Sequence, residues 1–158
     1  MKNSKFTVIS ILLLVCVLLL AINLFKKDLW DTNLELLKGK VLAEKVVDGE
    51  VDLTTFTQFE WDEVYSFTPF VSKEVIYETI GYQWDDISET VSEGMNQIVF
   101  VKDGKVVCYI YGYPDNNQFG LYFEGANHNN VATILYAADH PIFDVTKSGE
   151  VVYLRHMK

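Results

Sequence analysis

His128, His140 and His156 are the three histidines of the chain, and imidazole is the side chain most often used for metal ligation or proton transfer near neutral pH. Their spacings of 12 and 16 residues form neither H-x-H nor H-E-x-x-H, so they read as surface histidines rather than a local zinc motif. Asp48-Gly-Glu50-Val-Asp52 opens like an EF-hand loop. Leu53 then stands at the sixth position, where glycine is needed, and Phe59 at the twelfth, where a bidentate glutamate is needed. Asp62, Glu63, Asp85 and Asp86 are the other carboxylates that could gather round a cation; solvated acids are the plainer reading. Glycoside hydrolysis needs two carboxylates remote in sequence, and nothing selects such a pair. No serine lies in a G-x-S-x-G context, and no glycine-rich phosphate loop occurs. The residues therefore point to no catalytic set, no metal and no cofactor.

Aromatic side chains are the remaining chemical feature. Trp61, Tyr65, Phe67, Phe70, Tyr77, Tyr82 and Trp84 crowd one stretch. Most are expected in a core, because each ring hides a large area. Trp61, Tyr65, Tyr82 and Trp84 are the candidates for an aromatic binding face.

The elements that must position these residues follow from periodicity. Trp30, Leu34, Leu37 and Val41 lie on one face of a helix within a connector or stalk at 26–50, with Gly39 interrupting it. Residues 56–67 alternate as a strand, with a bend expected near Asp62-Glu63. Lys73 to Ile80 carries four helix signals. They are Ser72 at the N-cap, the Val71/Ile76 staple, Glu74 in the first turn and Gly81 at C′. A second helical turn is expected at Asp86 to Glu93, from an Asp-x-x-Glu box.

Ile98–Lys102 and Lys105–Tyr111 flank Asp103-Gly104, the pair favoured in a type I′ hairpin turn. That loop sets Val101 opposite Val106 and Phe100 opposite Val107, and both faces are apolar, as in central strands. Phe119–Phe123 reads as a strand, 125–130 as a loop, and Val131–Ala138 as strand or helix. A last hairpin turns about Ser148-Gly149, with Lys147 opposite Glu150. The fold class is α+β, with a mainly antiparallel sheet of about five strands and one or two helices in one compact domain at 51–158.

Residues 6–25 form an apolar run without charge, proline or glycine, following a short head at 1–5 that carries Lys2 and Lys5. Twenty residues of helix rise about 30 Å, the thickness of the bilayer core, so a single transmembrane helix is expected. The run exceeds a usual signal-peptide core and lacks a small-x-small cleavage site. Val15 stands before Cys16 where a lipobox needs a small residue. An uncleaved anchor with the head inside and the domain outside is the expectation, by one basic charge in the positive-inside rule. Trp30 stands where either an interfacial aromatic or a core tryptophan would.

Residues 26–158 hold all 22 acidic groups and 11 of the 13 basic ones, a formal charge of −11. Such a surface repels phosphate backbones, which excludes nucleic acid as a partner and leaves the bilayer and a protein partner. Cys108 falls in a strand and Cys16 in the apolar run, so no disulfide framework is expected. Arg155 is the single arginine among 12 lysines, which hints at an A+T-rich bacterial genome.

The stretch FEWDEVYSFTPFVSKEVIYETIG (Phe59–Gly81), followed by VFVKDGKVV (Val99–Val107), resembles a group of small bacterial envelope proteins. These carry a lipoprotein signal or one membrane segment before a compact domain. The resemblance implies a location at the bacterial cell membrane and supplies no catalytic residues. Three functions are consistent with all this. The first is an extracytoplasmic interaction or sensing domain on a single-pass anchor. The others are an immunity or inhibitor protein for a basic partner, and a cell-wall hydrolase using remote carboxylates.

Overall fold

A computed structural model describes residues 14–15, 28–43 and 49–157. The expected membrane helix at 6–25 lies outside these, save for Leu14 and Val15, which are helical. Among the described residues no helix is long and apolar enough to cross a membrane.

The fold is α+β, built on two mostly antiparallel sheets rather than the single five-stranded sheet expected. Helix α1 (Leu29–Ala43) leads into β1 (Gly49–Asp52), a helical turn α2 (Leu53–Phe56), β2 (Glu63–Phe67) and α3 (Lys73–Ile80). Then come β3 (Asn96–Lys102), β4 (Lys105–Gly112), α4 (Pro114–Asn117), β5 (Phe119–Phe123), β6 (Ala126–His128) and β7 (Ala132–Tyr136). A 3-10 turn (Ala137–Asp139), β8 (Ile142–Ser148) and β9 (Val151–His156) complete the chain. One sheet has the order β1-β8-β9-β5, the other β4-β3-β2-β7-β6; β5 and β9 are parallel.

The bend near Asp62-Glu63 is where the aromatic strand changes sides. Phe59 and Trp61 enter the core between the sheets with Phe100, Phe119 and Phe143. Tyr65 and Phe67 enter a second core on the far face of the five-stranded sheet, under α3. Strand β2 is accordingly short, and residues 57–62 are irregular instead of extended. Helix α1 crosses the edge of β4 from one core to the other. Trp30 packs in the second core, whereas Leu37 and Val41 are fully buried between the sheets. Asn33 donates to the Val107 carbonyl at 2.8 Å, so the helix covers an edge that would otherwise offer free backbone groups.

The β3–β4 turn is as expected: Asp103 and Gly104 both have positive φ, 50° and 68°. The register holds at Val101↔Val106 and then slips, giving Phe100↔Cys108 and Ile98↔Ile110. Val107 is the extra residue of a bulge. With both faces apolar, hydrophobic pattern does not resist the slip. The β8–β9 turn also differs. Ser148 pairs with Val151 and Lys147 with Val152, because Gly149 takes the first loop position at φ 62°.

Residues 86–93 form no helix. Their backbone groups are taken from outside: Tyr109 and Gln97 bond Ser88, and Tyr111 bonds the Glu89 carbonyl at 2.8 Å. The Phe70 amide also bonds the Thr90 carbonyl at 3.3 Å. Residues 125–130, expected as loop, contain the edge strand β6. Helix α3 has its expected bounds, with the Gly81 amide on the Tyr77 carbonyl at 2.9 Å. Its N-terminus differs, since the Glu89 carboxylate, not the Ser72 hydroxyl, accepts the Lys73 amide.

Candidate functional site

Two clefts stand out on the described surface. The first, about 540 Å³, is lined by Thr54, Thr57, Phe59, Trp61, Lys102 and Ala137 among others. Several of its polar groups are paired within the protein. The Trp61 indole donates to Thr57 Oγ1 at 3.1 Å. Lys102 Nζ lies 2.7 Å from Asp62 Oδ1, and Asp62 Oδ2 accepts the Asp103 amide at 2.8 Å. Lys102 and then that amide hold the Asp62 carboxyl below its ordinary range.

Beside this cleft, Asp52, Thr54 and His140 meet. Thr54 Oγ1 donates to Asp52 Oδ1 at 2.6 Å, and His140 Nδ1 lies 2.9 Å from Asp52 Oδ2 and 3.2 Å from Thr54 Oγ1. A proton relay needs the carboxylate and the hydroxyl on opposite ring nitrogens. Here both address Nδ1, so the cluster pins the start of α2 to the turn before β8 and activates no hydroxyl. Burial raises the Asp52 carboxyl, but the Thr54 hydroxyl and His140 together outweigh it and hold the carboxyl low.

The second cleft, about 600 Å³, lies on the outer face of the four-stranded sheet, along Gly49, Glu50, Asp144, Thr146, Arg155 and Met157. Strand register builds it: Glu50 stands opposite Asp144, Asp144 opposite Arg155, and Arg155 opposite Tyr122. These four side chains therefore form one row across β1, β8, β9 and β5. Arg155 is fixed from two sides. Its Nη1 donates to Thr146 Oγ1 at 3.0 Å, and its Cζ lies 4.4 Å from the Tyr153 ring centre and 5.8 Å from that of Tyr122. Among the described residues no carboxylate comes within 4.0 Å of it. A guanidinium has five N–H donors, so most of this fork stays unspent. Glu50 and Asp144, like charges directly opposite on neighbouring strands, repel one another.

The four candidate binding-face aromatics do not form one face. Trp61 stacks edge-on against Phe100 between the sheets. Tyr65 lies in the second core against Phe67 and donates to Glu63 Oε2 at 2.6 Å; burial, then the Glu63 carboxylate, push its phenol up. Tyr82 and Trp84 are partly buried in the same layer as Tyr65. Tyr82 accepts the Val106 amide at 2.7 Å, and Trp84 meets Trp30 and Tyr109 edge-on. Asp62, Glu63, Asp85 and Asp86 are not gathered, and among the described residues no three metal-binding side chains converge.

The row at Arg155 was not singled out as a site from sequence. In the sequence, Glu50 belongs to an incomplete EF-hand pattern and Arg155 stands alone among lysines. The alternation Asp144-Val145-Thr146 and Tyr153-Leu154-Arg155 does mark polar outer positions, but the assembly of the row requires β1 and β5 as flanking strands. No family model, no curated protein and no solved structure matches the chain.

Proposed function

We propose that this chain is a single-pass membrane protein of the bacterial envelope whose α+β domain is an extracytoplasmic interaction or sensing module. The observation that carries the reading is the charge-free apolar run at 6–25, which leads to α1. The apolar run ends at Phe25, and α1 starts at Leu29. Its first turns lie against the outer face of the five-stranded sheet, through Trp30 with Trp84 and Tyr109. The Arg155 row is on the outer face of the other sheet, at the opposite side of the molecule. With an anchor at 6–25 continuing directly into α1, the Trp30 face is turned toward the bilayer and the Arg155 cleft away from it.

Fractionation and protease protection test the reading. The full chain should stay with membranes after a high-salt or carbonate wash and require detergent for release. Protease added to intact protoplasts should digest residues beyond 28. Release without detergent removes the anchor from the account, and full protection of the domain reverses its orientation.

A further inference from the structure

We infer that the Arg155 cleft binds a short zwitterionic peptide of about two residues, its carboxylate on the Arg155 guanidinium and its ammonium between Glu50 and Asp144. The inference deepens the reading of the domain as an interaction or sensing module, and rests on it.

The chemistry follows from charges that the fold leaves unanswered. Arg155 belongs to a chain of net charge −9, and its cross-strand neighbour is an aspartate. Thr146 and the Tyr153 ring nevertheless hold the guanidinium where no carboxylate of the described residues comes within 4.0 Å. A planar cation held in one orientation is preorganised for bidentate carboxylate binding. Next to it, Glu50 and Asp144 stand in direct register, and among the described residues no cationic side chain forms an ion pair with either. A ligand ammonium placed there removes the repulsion and gives three N–H donors to two carboxylates. A calcium ion would want six to eight oxygens, and two carboxylates beside a guanidinium fall short of that.

Spacing sets the length. The midpoint of Glu50 and Asp144 lies one and a half strand spacings from Arg155, about 7 Å at the level of the backbone. An extended chain spans roughly 3.5 Å per residue, so two residues match that backbone-level spacing more nearly than one. The cleft volume of about 600 Å³ leaves room for it, and Met157, 64% exposed, offers an apolar wall for its side chains.

The test uses the full chain in detergent and five probes: Ala-Ala, N-acetyl-Ala-Ala, Ala-Ala-amide, alanine and Ala-Ala-Ala. Isothermal titration calorimetry should give an Ala-Ala affinity of about 0.1–1 mM, as expected for solvent-exposed charge pairs. Each capped form and alanine should bind roughly tenfold more weakly, and the tripeptide should fall between them. Arg155→Gln should abolish the preference for Ala-Ala over its amide. Glu50→Gln with Asp144→Asn should abolish the preference over the acetylated form. Far-UV circular dichroism confirms that each variant is folded, and Arg155→Lys, which keeps the charge but loses the fork, should retain only part of the preference.

Flat titrations to about 10 mM with folded protein would overturn the inference, as would Ala-Ala binding unchanged in Arg155→Gln. Those outcomes leave the membrane-anchored reading standing. Conversely, release of the protein without detergent defeats that reading while peptide binding can still be measured.

Discussion

Asn96 is buried where β5 would otherwise need a strand partner. Its Nδ2 donates to the Leu121 carbonyl at 3.2 Å, and its Oδ1 accepts the Leu121 amide at 3.0 Å. One side chain on β3 thereby behaves as a piece of strand and ties the free edge of one sheet to the other. Asn96→Ala leaves both Leu121 groups without partners inside the protein. Each orphaned buried group costs about 1–3 kcal/mol, so the variant should lose about 2–6 kcal/mol of stability, read as a lower urea midpoint at unchanged slope. A loss under about 0.5 kcal/mol, within the range of ordinary surface substitutions, would mean that water replaces the amide. Cys108 is also a single-residue matter. It is fully buried, and burial pushes its thiol well up from the ordinary range. In a Cys16→Ser background, a thiol reagent should leave native protein unlabelled and modify it stoichiometrically in denaturant; rapid native labelling would contradict the packing.

Elements were legible in the sequence where their signals are local. The Asp103-Gly104 turn needs only two positive φ angles, and α3 needs only its staple and C′ glycine, so both are found where expected. The division into two sheets has no local signal. Strand β1 is GEVD and β6 is ANH, each short and polar, and the parallel pair β5–β9 joins segments far apart in sequence. The failed helix at 86–93 has the same cause. Its capping box is real as a pattern, but the hydroxyls of Tyr109 and Tyr111 reach its backbone first. The candidate site was hidden for the reason β1 was hidden, since Glu50 joins Arg155 only through two steps of strand register.

The joins between elements also set the response to acid. Asp52 pins the β1–α2 junction to His140, and Asp62 pins the start of β2 to the β3–β4 turn. Both carboxyls are held low in the folded protein. Their contribution is therefore present above the unfolded value of about 3.9 and disappears as pH falls through the lower folded values. Melting temperature should hold steady from neutral pH to about pH 4 and drop below it, and Asp62→Asn should shallow that drop. An identical acid limb in the variant would show that the Asp62 link to Lys102 contributes nothing, as many exposed pairs do.

At the scale of the whole molecule, orientation follows from the three tryptophans. Trp30 is five residues past the end of the apolar run, and its ring centre lies 5.5 Å from that of Trp84. Trp61 is separated from both by the five-stranded sheet, in the core between the two layers. If residues 6–25 cross a bilayer and α1 continues from them, Trp30 and Trp84 face the lipid while Trp61 stands beyond one full sheet. Neighbouring sheets are about 10 Å apart, comparable to the reach of contact quenchers. Single-tryptophan versions of the full chain in lipid nanodiscs, with the other two replaced by phenylalanine, turn this into a measurement. Lipids spin-labelled near the headgroup should quench Trp30 most, Trp84 less and Trp61 least, and an aqueous quencher should leave the Trp61 emission undiminished because it is 4% exposed. Equal lipid quenching at all three positions would mean that the domain lies on its side. Stronger quenching of Trp61 than of Trp84 would turn the Arg155 cleft toward the membrane and so close it to a soluble peptide.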